Sequence, residues 1–155
     1  MAQSDLGQQL MLIKKIMPDA VKGGIFYNTD DELAPMAINR ASGESGLTIV
    51  TAPVKSIREM ATAMRLLKQH RLDFYLIFDD RVTGGPNSIK FVVRQTVKYK
   101  KPVYTSSSSA FKSGAFGKFI KQNSGWTLQI NGKVLNLFDI TIPSDDASYA
   151  VINEG

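Results

Sequence analysis

The chain has 155 residues and a net charge of +5, in an ordinary globular composition that fits one domain, 1–155, with its own core. It contains no cysteine and one histidine, His70. That excludes disulfide staples, thiolate or multi-histidine metal sites within one chain, and any Ser-His-Asp triad built on another histidine.

Ser4 is placed to cap a first helix over residues 5–17, with Leu6, Leu10, Ile13 and Met17 on one face and Pro18 as its stop. Residues 21–27, with Gly23-Gly24 inside, read as the first strand, and Asn28-Thr29-Asp30-Asp31 as the loop that leaves it. A second helix starts near Glu32, with Pro35 tolerated in its first turn and Leu33, Met36, Ala37 and Ala41 turned inward. Residues 47–50 form a second strand, followed by Thr51-Ala52-Pro53. Ser56 and Glu59 have capping-box spacing ahead of a third helix carrying Ile57, Met60, Ala61, Met64 and Leu67 on one stripe. That stripe reads as core packing, and His70 as a polar cap in the last turn.

The run Phe74-Tyr75-Leu76-Ile77-Phe78 is continuously apolar and bounded by turn residues, the pattern of a parallel strand buried on both faces. It ends in Asp79, Asp80 and Arg81 and a Gly-Gly-Pro turn. A helix from Asn87 or Ser88 turns Ile89, Val92, Val93 and Val97 inward, and Val103-Tyr104-Thr105 is a fourth strand running into four serines. Residues 116–121 and 126–131 alternate about a turn, which signals a hairpin. A short helix over 132–139 and a polar tail, loose in its last dozen residues, close the chain.

Strands alternating with helices through short loops predict an α/β three-layer sandwich. The sheet is mainly parallel and five-stranded, order 2-1-3-4-5, with the C-terminal hairpin at one edge. In such sheets ligands bind beyond the carboxyl ends of the strands. The loops there supply Asn28, Thr29, Thr51, Asp79, Asp80, Arg81, Ser106, Ser107 and Ser108, with Tyr27 and Tyr104 near enough to stack. Arg81 offers a fork for a carboxylate, Asp80 an acceptor for an amine, and the serines hydroxyl and N–H donors at a strand-to-helix turn. The set suits a small polar ligand such as an amino acid. No base is paired with a nucleophile, Gly84-Gly85 is not followed by Lys-Ser/Thr, and no catalytic residue, cofactor or metal is expected.

Several segments resemble a known family. Gln8 through Ala20, followed by Gly24-Ile25-Phe26-Tyr27-Asn28, is similar to the opening of the second lobe in exported substrate-binding proteins of ABC importers, which have the type I periplasmic-binding fold. Phe78-Asp79-Asp80 sits where that family has a Thr-Asp-Asn type of turn. Lys101-Pro102-Val103-Tyr104-Thr105-Ser106 resembles a strand of the family, and Ile130-Asn131 through Ile140-Thr141-Ile142-Pro143 its closing segment. The chain departs from the pattern at Asp139, where the family has Gly, and at Arg81, where it has a small polar residue. The resemblance implies one lobe of a periplasmic-binding-protein-like fold, a solute-binding or ligand-sensing role and a periplasmic location. Met1-Ala2-Gln3-Ser4-Asp5 does not read as a signal peptide, so a cytoplasmic location stays open.

Half a clamp implies weak binding unless a partner covers the cleft: a second copy, a sensor or a transporter. Single-lobe periplasmic regulators of diguanylate cyclases, acting through protein contact, also resemble the chain over residues 116–138. A rival of another class is the response-regulator receiver, with Asp30-Asp31, Asp79, Thr105 or Ser106 and Lys118 in its acidic, phospho-acceptor, hydroxyl and lysine roles. The acids come too late after the first strand for it, and an extra helix precedes that strand. No apolar run reaches transmembrane length, and Lys98-Tyr99-Lys100-Lys101 is the only basic cluster, so neither membrane insertion nor nucleic acid is expected.

Overall fold

The structure, a computed structural model, describes residues 3–78, 80, 83 and 85–153. Among them, five helices and seven strands follow the order α1 (Asp5–Ile16), β1 (Lys22–Asn28), α2 (Ala34–Ser45), β2 (Thr48–Val54), α3 (Met60–Lys68), β3 (Phe74–Ile77), α4 (Pro86–Lys98), β4 (Val103–Thr105), α5 (Ser108–Lys112), β5 (Gly117–Gln122), β6 (Gly125–Asn131) and β7 (Tyr149–Ile152). One sheet holds all the strands in the order β2-β1-β3-β4-β5-β6-β7. The first five run parallel, β6 turns back antiparallel to β5, and β7 lies parallel to β6.

The expected three layers and the 2-1-3-4-5 order are present, in a sheet of seven strands rather than five. The hairpin is not at the edge, because β7 covers it. The tail expected to be loose supplies β7: Leu128 N–H donates to Ser148 O, Gly132 N–H to Ile152 O, and Tyr149 Oη–H to Leu12 O at 2.7 Å. A four-residue strand has too short an alternation to stand out in sequence. The open edge of β6 defines it.

β3 is buried on both faces, as its apolar run predicts. Phe74 and Leu76 pack into the layer of α1 and α2, with Leu10, Ile13, Ile38 and Ala41. Tyr75 and Ile77 pack into the opposite layer, with Met60, Met64 and Leu67 of α3 and Ile89 and Val92 of α4. Each such large apolar side chain contributes roughly 1.5–3 kcal/mol by leaving water. Gly23 of β1 makes the arrangement possible, since a Cβ there would sit 2.1 Å from the Phe74 ring.

Other local expectations shift. The inward face of α2 is Ala34, Ile38, Ala41 and Ser45, while Leu33, Met36 and Ala37 are exposed. The helix begins two residues later than its sequence suggests, and that rotates the buried stripe. Gly46, at φ 77°, ends it. β2 runs through Pro53 to Val54, which an edge strand tolerates. Ser56 makes no side-chain cap; Glu59 instead accepts from Lys55 N–H at 2.8 Å, and a 3₁₀ turn, Ile57–Glu59, leads into α3. On α3, Met60, Ala63, Met64 and Leu67 are buried, whereas Ile57 and Ala61 are exposed. His70 lies beyond the helix, exposed. The helix expected over 132–139 is only a 3₁₀ turn, Leu135–Leu137.

Phe78, expected to be fully buried with the strand, is only half-buried. Phe74→Ala should therefore lower the unfolding free energy by about 3–5 kcal/mol, the usual loss for a buried aromatic. Phe78→Ala should cost clearly less. Urea midpoints at constant m-value compare the two, and equal losses would contradict this placement of the core.

Candidate ligand cleft

A cleft of about 380 Å³ opens at the carboxyl ends of β3 and β4, on the α1–α2 side of the sheet. Leu76 and Ile77 line it from the end of β3 and Phe78 from just beyond, together with Asp80 and Ser106 from the loops after β3 and β4. Asp31 and Ala37 contribute from the β1–α2 connection and α2, and Ser4, Asp5, Leu6 and Gln9 from the first turns of α1. The volume falls within the range of small-molecule sites, roughly 300–1,000 Å³.

Asp80 organises the loops. Its Oδ2 accepts from the backbone N–H of Asn28 at 3.0 Å and its Oδ1 from that of Thr83 at 2.7 Å. Thr83 Oγ1 donates back to Phe78 O at 2.9 Å. One carboxylate thus fastens the end of β1 to the turn after β3. Asn28 is buried, and its Oδ1 accepts from Asp30 N–H at 2.9 Å, building the turn rather than lining the cleft. On the β4 side, Ser107 N–H donates to Thr105 Oγ1 at 3.0 Å, and Ser107 Oγ accepts from Ala110 N–H at 3.2 Å, capping α5. Ser106 is left exposed at the cleft wall.

The N-terminus of α1 is held from two sides. Ser4 caps the helix by accepting from Gly7 N–H at 3.0 Å, and its backbone N–H and hydroxyl donate to Glu44 of α2. The Ser4 hydroxyl, followed by burial working against it, then the Ser4 N–H and Arg40, leaves the Glu44 carboxyl below its ordinary value. On the other side Asp5 accepts from Trp126 Nε1 at 3.0 Å and Lys121 Nζ at 2.9 Å, two residues of the β5–β6 hairpin. Those bonds, Trp126 first, lower its pKa as well. The first N–H groups of a helix have no intrahelical acceptor and carry partial positive charge. Asp5 and Leu6, in that first turn, line the cleft.

Of the residues expected to bind ligand, Asp80 and Ser106 meet in the cleft. Asn28 and Ser107 lie just behind it as turn and cap. Thr29 donates its N–H to Val54 O at 2.9 Å, and Ser108 Oγ accepts from Lys118 Nζ at 3.2 Å; neither lines the cleft. Asp79 and Arg81 lie outside the described residues. The expected stacking tyrosines are in the core. Tyr27 is buried in the core cluster on the α1–α2 side of the sheet. Tyr104 is fully buried against Phe74, Phe116 and Phe119, with its hydroxyl on Met17 Sδ at 3.2 Å. Thr51 falls inside β2 and lines a separate, mainly apolar groove of about 550 Å³ against α3. The residues sequence reasoning missed come from α1 and from Asp31. Gln9 carried a readable signal, a polar side chain three residues after Leu6 on the stripe that continues to Leu10 and Ile13.

With this geometry in place, comparison with known proteins is decisive at the level of family. Residues 2–144 match the ABC transporter substrate binding protein family. The chain belongs to that family. Its members bind substrate rather than transform it. None of the curated proteins matches the sequence significantly. Solved structures share the fold at low identity. An ABC domain from Streptococcus pneumonia, in complex with L-Trp, superposes with a TM-score of 0.77 at 21% identity, covering 96% of this chain and 62% of that one. A conserved domain protein from Vibrio cholerae gives 0.75 at 19%, covering 91% and 57%. The ligand-free, open form of a substrate binding protein with adhesive properties from Clostridium difficile gives 0.74 at 16%, covering 94% and 59%. The chain therefore spans about three fifths of the length of these structures.

The Ser4–Glu44 clamp has a pH signature. A carboxyl lowered from its ordinary value of 4.5 stabilises the fold above that value and loses the contribution as pH falls through its folded-state pKa. Glu44→Gln should therefore lower the melting temperature near neutrality and narrow its distance from the wild type as pH falls from about 7 to about 3. Parallel melting curves at every pH would contradict the clamp.

Proposed function

We propose that the chain is the ligand-holding lobe of an exported solute-binding protein that takes a small zwitterionic metabolite, such as an amino acid, in the cleft at the carboxyl ends of β3 and β4. The observation that carries the reading is the meeting of Asp80 and Ser106 with the N-terminus of α1 around an otherwise apolar floor. Asp31 and Asp80 supply carboxylates for an ammonium group, and Leu6, Ala37, Leu76 and Phe78 accommodate an apolar body. The L-Trp of the Streptococcus complex is a ligand of this kind. Periplasmic residence follows from the role. Delivery to an importer is the first reading of that role.

One observation favours a protein surface over the cleft. Leu33 and Met36, at the start of α2 beside the cleft residue Ala37, are 76% and 74% exposed. Two large apolar side chains at a ligand edge suit a cover that closes on bound ligand, whether a second lobe, a second copy or a sensor. Binding by this chain by itself should then be weaker than about 1 µM, because the ligand stays partly solvated. Titration of an L-amino-acid panel against the ¹⁵N-labelled chain tests the proposal. Amide shifts at Asp80, Ser106 and Leu6 are expected. A panel that moves none of them, or only amides lining the β2–α3 groove, would overturn it.

A further inference from the structure

Gln9 is the odd residue of the cleft. It sits on the inward stripe of α1, is only 8% exposed and lines the cleft with Leu6 and Leu76. Its neighbour in sequence, Gln8, spends its amide on Gln3 O. The Gln9 amide makes no hydrogen bond with any described residue. Yet among the described residues no buried side-chain nitrogen or oxygen lacks a partner. The two facts agree if the amide reaches the space of the cleft itself, where water or a ligand meets it. An amide that reaches the cleft keeps its water and needs no protein partner, so nothing inside the fold calls for a polar side chain at this position of an inward stripe.

We infer that Gln9 is a specificity-determining residue of the cleft, contacting the polar head of the ligand. The inference rests on the proposed function and deepens it. An amide carries one acceptor and two donors side by side. Its complement is a group with an adjacent donor and acceptor, which is what the ammonium and carboxylate of an α-amino acid present. The carboxylate also suits the positive N-terminal end of α1, where Asp5 and Leu6 line the cleft. Asp31 and Asp80 then serve the ammonium group, and the apolar floor holds the side chain. The ligand class is an α-amino acid with an apolar side chain, recognised through both halves of its head. Binding an amine or a carboxylic acid would satisfy only half of the Gln9 amide.

Calorimetric titration with L-leucine and L-phenylalanine, beside phenethylamine and 3-phenylpropanoate, tests this on the wild-type chain and on Gln9→Leu and Gln9→Met. Both variants are expected to melt at or above the wild-type temperature, since they remove an amide that has no protein partner. Both should weaken amino-acid binding about tenfold or more, and the one-sided analogues should bind the wild type poorly. If the wild type binds an amino acid and both variants bind it within about twofold, the role of Gln9 is overturned while the proposed function stands. If one variant fails to fold, the other decides. Loss of melting temperature in both would show a structural Gln9 and also overturn the inference. No binding of any probe to the wild type would overturn the proposed function and this inference together.

Discussion

The structure depends on a strand with no solvent-facing side. Phe74, Tyr75, Leu76 and Ile77 alternate between two helical layers, so β3 is the point where both cores meet. That placement requires room on the neighbouring strand, and Gly23 provides it by letting the Phe74 ring lie against bare backbone. Once β3 is central, β1 and β4 flank it in parallel, and their connections must cross on helices. The three carboxyl ends then lie at one edge of the sheet.

An edge of converging loops is only a site if the loops hold still. Here Asp80 ties the end of β1 to the turn after β3, Ser107 and Thr105 close the turn after β4, and α1 is pinned to α2 by Glu44 and to the hairpin by Trp126 and Lys121. These polar groups are occupied in holding backbone. Fewer face the cleft for a ligand: the Gln9 amide, the Ser106 hydroxyl, the first turn of α1, and the carboxylates of Asp31 and Asp80, which accept backbone N–H groups as well. Under the proposed function this division of labour has a meaning, because a site for a small polar ligand needs a rigid polar edge.

Much of the architecture was legible because burial on both faces leaves a plain record. The run at 74–78 located the central strand, and strand–helix alternation gave the order of the first five strands. The amphipathic residues of α4 and the alternation at 116–131 placed the fourth helix and the hairpin. What was not legible depended on pairing or on a small shift of phase. Tyr149–Ile152 is a strand because β6 has an open edge, and the inward face of α2 turned on a start two residues later than Glu32. At the candidate cleft, the position of Asp80 and Ser106 was legible from their place after strands. Asn28 and Ser107 follow strands as well, but their side chains serve the turns behind the cleft. Tyr104 looked available at the end of a strand, but an aromatic cluster claims it. The contribution of α1 was hidden because it lies more than sixty residues from the β3 loop in sequence, and no local pattern announces such a meeting.

Two concave surfaces are set against each other as ligand sites: the cleft beyond β3 and β4, with polar groups around an apolar floor, and the larger apolar groove between β2 and α3. A crystal structure of the chain with the tightest-binding amino acid of the panel separates them most directly. The account predicts density for the amino acid between the first turn of α1 and the loops carrying Asp80 and Ser106, with its side chain over Phe78. Density in the β2–α3 groove instead, with the cleft holding only water, would contradict it.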